Sequence, residues 1–203
     1  MVDDEIRHPV IVDTDALIAV AHTSLWSPIT ETLNLTTTNS CYQELKRHVR
    51  NNSVHAPEGT REWWLHHGSK KAIQAFDDDE TNALTVVTCV PRPHGEDAGE
   101  KSIKTEIEQH TEDYRFAILM DKHGRYSINR VFDDTADTVG RAVAPTFLLY
   151  LLLDSDACTV EEFCHACGEI LRGEGWTGYQ AIQAAWEAIP VDCSQYLSDE
   201  LLG

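Results

Sequence analysis

Val10-Ile11-Val12-Asp13-Thr14-Asp15-Ala16-Leu17-Ile18 is the stretch that decides the fold. Three β-branched residues run straight into a carboxylate, and an apolar, Ala-rich segment follows. Apolar side chains at successive positions face both ways from a strand. Such a strand suits a parallel sheet covered on both sides. The C-terminal ends of parallel strands are where open α/β sheets hold their ligands. Asp13 is therefore expected at the mouth of a sheet, with Asp15 capping the helix behind it. The plain alternative is a pair of solvated turn aspartates. The chemical reading requires later strands to deliver more carboxylates to the same edge.

Working outward, Leu35-Thr36-Thr37-Thr38 is β-branched and reads as a second strand. Asn39 or Ser40 is expected to cap a helix from Cys41 to about Val49, which carries Glu44. Leu84 to Val90 reads as a third strand, and Phe116 to Met120 as a fourth that ends in Asp121. Between them the pattern predicts helices over Ala16–His22, from Ser27-Pro28 to about Leu33, over about Thr60–Phe76, and from Glu96 to about His110. Asp77 to Glu80 reads as a solvated turn, Lys122-His123-Gly124-Arg125 as another, and Asp133, Asp134 and Asp137 as a polar connection. Pro145–Leu153 reads as a buried helix, Thr159-Val160-Glu161-Glu162 as a capping box, and Gly178–Ile189 as a last helix. Strands alternating with helices give a three-layer α/β/α fold with a central parallel sheet, plus C-terminal helices. The expected division is 1–145 for the sheet-bearing domain and 146–203 for a helical extension packed on it.

The chain has 34 acidic and 16 basic residues among 203, a net charge of −18. Such a surface repels itself at low salt, and concentrated salt screens that repulsion to within a few Å. The composition resembles that of halophilic, haloarchaeal proteins. Met1-Val2-Asp3-Asp4-Glu5 has neither the basic start nor the apolar core of a secretory signal, and the apolar run Phe147–Leu153 is too short to span a bilayer. A cytoplasmic protein with no membrane association is expected. The six cysteines lack the spacing of a disulfide framework and are expected to be reduced. Cys164-His165-Ala166-Cys167 resembles half of a zinc site but falls on the apolar face of a helical pattern, which favours core cysteines.

Asp13, Glu44, Asp97, Glu100 and Asp121 stand at strand ends and helix starts that a doubly wound sheet brings towards one crevice. Clustered carboxylates repel one another unless a cation lies between them. Mg²⁺ and Mn²⁺ prefer such oxygen ligands and retain water. In this order the acidic segments resemble the PIN-domain family of metal-dependent ribonucleases. The resemblance rests on Val10 to Ile18, on Cys41-Tyr42-Gln43-Glu44-Leu45, on Asp97-Ala98-Gly99-Glu100 and on Ile118-Leu119-Met120-Asp121. It implies catalytic carboxylates at Asp13, Glu44, Asp97, Glu100 and Asp121. Metal ligands are implied at Asp13, Glu44 and Asp121, with Glu100 or Asp97 as the further one. It implies Mg²⁺ or Mn²⁺ as cofactor and RNA as substrate, with a homodimer and a regulatory protein partner as assemblies. Arg47, Lys101 and Arg125 follow these acids and are expected on the RNA phosphates.

Two other readings are open. Asp13-Thr14-Asp15 with Val131-Phe132-Asp133-Asp134 resembles the nucleophile and metal motifs of haloacid-dehalogenase-type phosphatases. A catalytically silent PIN-like domain serving as a binding module is the other.

Overall fold

The computed structural model describes residues 8–78, 84–91, 93, 95, 97–134 and 140–173, with side chains described as far as 170. Among them a single sheet of five parallel strands runs in the order β3-β2-β1-β4-β5. The strands are β1 (Val10–Val12), β2 (Leu35–Thr38), β3 (Leu84–Val87), β4 (Phe116–Ile118) and β5 (Arg141–Val143). Eight α-helices are described: α1 (Thr14–Ala21), α2 (Trp26–Thr32), α3 (Asn39–Asn51), α4 (Arg61–Asp78), α5 (Ala98–Gln109), α6 (Lys122–Asp134), α7 (Thr146–Asp154) and α8 (Val160–Gly173). The predicted three-layer α/β/α fold is present.

Alternation along β1 sets the layers. Val10 and Val12 face a core shared with α1, α2, α4, α7 and α8, whereas Ile11 faces Ile103 and Ile107 of α5 and Ile128 and Phe132 of α6. All three β1 residues are buried, as the opening stretch requires. The threonines of β2 are buried too, and the hydroxyls of Thr37 and Thr38 have partners. Thr37 Oγ1 donates to Val12 O at 2.8 Å, and Thr38 Oγ1 lies 2.5 Å from Ser102 Oγ. A buried hydroxyl without a partner costs free energy, so these bonds let a polar strand sit in the sheet's interior.

Several boundaries differ from expectation. Asp13 caps α1 in place of Asp15, because its backbone is extended and its Oδ1 accepts from Ala16 N–H at 2.7 Å. Thr38 caps α3 in place of Asn39 or Ser40, accepting from Cys41 N–H. The expected turn at Lys122–Arg125 is the first turn of α6, and Asp133 and Asp134 end that helix. The helix is held by a buried stripe of Gly124, Ile128 and Phe132, four residues apart. β5, an edge strand of three residues, has no counterpart in the prediction. Asp77 and Asp78 belong to α4, and Asp77 accepts a hydrogen bond from the Tyr42 hydroxyl. The capping box is present: Glu162 Oε2 accepts from Thr159 N–H at 2.8 Å and Thr159 Oγ1 from Glu162 N–H at 3.2 Å. Cys164 and Cys167 are buried. Cys164 is disulfide-bonded, against the expectation of reduced cysteines, whereas Cys41, Cys89 and Cys158 are free thiols. The predicted helix over 178–189 and Asp137 lie outside the described residues. No described helix is long and apolar enough to cross a membrane.

Candidate active site

The chain leaves β3 at one edge of the sheet and re-enters on the far side of β1 as β4. The strand order therefore reverses between β1 and β4, and the crevice at their C-terminal ends is where an open sheet admits a ligand. Asp13 directly follows β1 and Asp121 stands three residues past the end of β4, so the two aspartates flank that crevice. Asp13 is half-buried and fixed by backbone alone: Oδ1 accepts from Ala16 N–H, and Oδ2 from Met120 N–H at 3.2 Å. The second bond ties the end of β1 to the turn that carries Asp121. Asp121 Oδ2 in turn accepts from Gly124 N–H at 2.7 Å, capping α6.

Glu44 approaches from α3. Its Oε2 accepts from the buried Thr14 hydroxyl at 2.9 Å, and its Oε1 accepts from Arg47 Nη2 at 2.5 Å. The start of α5 packs against it so closely that a Cβ on Gly99 would stand 3.2 Å from Glu44 Oε2. Glu100 crosses to the other side and lies over Gly124, where a Cβ would stand 3.0 Å from its Oε2. Asp97, exposed at the rim, starts α5 from a left-handed backbone conformation (φ 58°). The acids thus form two neighbouring groups. Asp13 and Asp15 stand with Glu44, and Asp97 and Glu100 stand with Asp121.

The crowding shows in the acidities. Burial, then the Asp15 charge, push the Asp13 carboxyl from 3.8 up to about 8, against the pull of its two backbone donors. Asp15 is raised by desolvation and then by Glu44. Glu100 is raised by desolvation, then by Asp121 and Asp97. Negative charge gathered at one edge is unfavourable without a cation.

Beside Glu44 a cleft of about 350 Å³ opens between α3 and the approach to α5, lined by Ser40, Gln43, Arg47, Arg50, Gly95 and Asp97 among others. Of the expected phosphate contacts, Arg47 lies in this cleft. Lys101 is exposed on the first turn of α5. Arg125 is turned inward: Nη1 donates to Leu119 O at 2.8 Å and Met120 O at 2.6 Å, bracing the β4–α6 turn. Sequence reasoning did not single out Thr14 as the donor that sets Glu44, or Gln43 and Ser40 as cleft residues. Nothing in a run of single letters signals a contact between residues 14 and 44.

Among the described residues, no three His, Cys, Asp or Glu side chains stand close enough to cage an ion. The chemistry of the donor set nevertheless fits a hard divalent cation, because every candidate is a carboxylate. Mg²⁺ commonly keeps several waters and takes only one or two carboxylates directly.

The parallel sheet of this α/β domain thus carries acids on both sides of its β1/β4 switch point. The family model described as the halobacterial PIN domain matches residues 1–203, and the chain belongs to that family. PIN domains are generally nucleases that use divalent metal ions. No curated protein and no solved structure matches the chain.

Proposed function

We propose that the protein is a divalent-metal-dependent ribonuclease, with Mg²⁺ or Mn²⁺ held at Asp13 and Asp121 and completed by Glu44 and Glu100. The observation that carries the reading is that Asp13 and Asp121 stand on either side of the β1/β4 switch point, with the Met120 N–H next to Asp121 donating to Asp13. When bound, the ion supplies Lewis acidity and an activated water for attack on a phosphodiester. The chain's own part is preorganisation. Ala16 and Met120 N–H fix both Asp13 oxygens, Thr14 fixes Glu44, and Gly124 N–H fixes Asp121. Glu100 is favoured over Asp97 as the further ligand because it lies on the Asp121 side against Gly124, whereas Asp97 stays exposed at the rim. Arg47, Arg50 and Lys101 offer positive charge to a passing RNA backbone.

The phosphatase alternative asks Asp133 and Asp134 to reach the same mouth as Asp13. They end α6, which starts there, so at 1.5 Å per residue they lie about 18 Å along the helix axis from Asp121. The test is cleavage of single-stranded RNA in concentrated KCl with Mn²⁺ or Mg²⁺. Asp13→Asn and Asp121→Asn are each expected to lose about 100-fold or more, and a chelator to abolish cleavage. Undiminished cleavage by either variant, or in chelator, would sink the proposal. Mn²⁺ binding without cleavage of any RNA would favour the silent binding module.

A further inference from the structure

Glu44 is the candidate ligand whose two oxygens both have side-chain donors. Thr14 donates to Oε2 from the buried side, and Arg47 donates to Oε1 from the cleft side. The Arg47 side chain is 59% exposed and that of Glu44 30%. At that exposure a pair three residues apart on one helix adds little to stability. Its consequence is occupancy. Among the described residues, Arg47–Glu44 is the ion pair that reaches the candidate ligands, and its guanidinium rests on the Glu44 oxygen that Thr14 does not hold. Arg47 also lines the cleft together with Arg50, one helical turn further on, so its head group has a second berth that an RNA phosphate can share.

Resting on the metal-nuclease reading above, we propose that Arg47 is an internal competitor for the metal and a positioning residue for RNA. The guanidinium and a divalent ion exclude each other at Glu44 Oε1. An ion taken up there releases Arg47 towards Arg50, where the pair meets the RNA backbone. Thr14 keeps Glu44 in place while its other partner changes. By linkage the ion and RNA then favour each other's binding, because each is bound best with Arg47 away from Glu44. Metal uptake and substrate grip are one event, and RNA is gripped most tightly by protein already loaded for chemistry.

The test is Mn²⁺ titration without RNA, followed by electron paramagnetic resonance in concentrated KCl, on the full chain and on Arg47→Gln, Arg47→Lys and Arg50→Gln. All three substitutions are at exposed helix positions, and circular dichroism verifies folding. Arg47→Gln is expected to bind Mn²⁺ about tenfold more tightly than the wild type. Arg50→Gln removes the same charge from the same cleft without freeing Glu44, and is expected to stay within about threefold. Arg47→Lys restores a competing cation and is expected to return most of the way to the wild-type affinity. Equal shifts for Arg47→Gln and Arg50→Gln, or weaker binding by Arg47→Gln, would overturn the competition. If the wild type binds Mn²⁺ and Arg47→Gln leaves that affinity unchanged, this inference alone falls. If neither the wild type nor any variant binds Mn²⁺, the metal-nuclease reading falls with it.

Discussion

Gly68 lies where α4 crosses the end of α1, and a Cβ there would stand 2.8 Å from both His22 Nε2 and Ile18 Cγ2. The missing side chain lets His22 stack on Trp64 with centroids 3.7 Å apart and place Nε2 2.8 Å from Trp64 O. A ring so enclosed resists charging. Desolvation first, with Lys71 and His67 adding to it, lowers the His22 pKa from 6.5 to about 4. A depressed histidine stabilises the fold above its unfolded pKa and loses that contribution as pH falls through the folded one. His22 is therefore expected to weaken the fold between pH 6.5 and about 4. Thermal unfolding across that window should fall less steeply in His22→Gln than in the wild type. His48, lowered chiefly by desolvation, keeps part of the slope. An unchanged slope would show that His22 charges freely in the fold.

At the scale of elements, the β4–α6 turn has the most influence on the site. Arg125 braces it through two carbonyls, and Met120 N–H within it holds Asp13. Arg125→Gln should cost about 2 kcal/mol, since charged hydrogen bonds to partly buried carbonyls are lost. It should lower kcat more than it raises KM. The salt dependence of RNA binding should stay as in the wild type, whereas Arg50→Gln should reduce its slope by about 0.7, one phosphate contact on a single strand. A reduced slope in Arg125→Gln would return it to the phosphate-binding role that its place in the sequence implied. The same turn shows where the sequence was legible and where it was not. β1, β2 and β4 declare themselves through runs of buried apolar or β-branched residues, and Asp13 and Asp121 through their positions just after such runs. α6 did not, because Gly124 and its basic neighbours look like a turn. Gly124 is there for a tertiary reason: Glu100 of another helix lies against it. β5 is too short for periodicity to register, and only one of its three residues is buried. The Thr14–Glu44 bond joins residues 30 apart, a distance that no local pattern encodes.

For the whole molecule, a net charge of −18 is set against only a few ion pairs among the described residues. At 1 M salt the screening length is about 3 Å, and at 0.01 M it is about 30 Å, comparable to the molecule itself. The helical signal in circular dichroism is expected to collapse as KCl falls to tens of millimolar and to return when salt is restored. A chain that stays fully folded there would show that its acidity serves something other than life in concentrated salt.

The order β3-β2-β1-β4-β5 also bears on how the protein is made. A chain grown as far as Gln109 already carries Asp13, Glu44, Asp97 and Glu100, yet it lacks Asp121 and the Met120 N–H that grips Asp13 from 107 residues away. On the nuclease reading, such a chain leaving the ribosome is unarmed amid the RNA that surrounds it. On that reading, pairing of β4 with β1 completes the site, and it follows only once synthesis has passed Asp121.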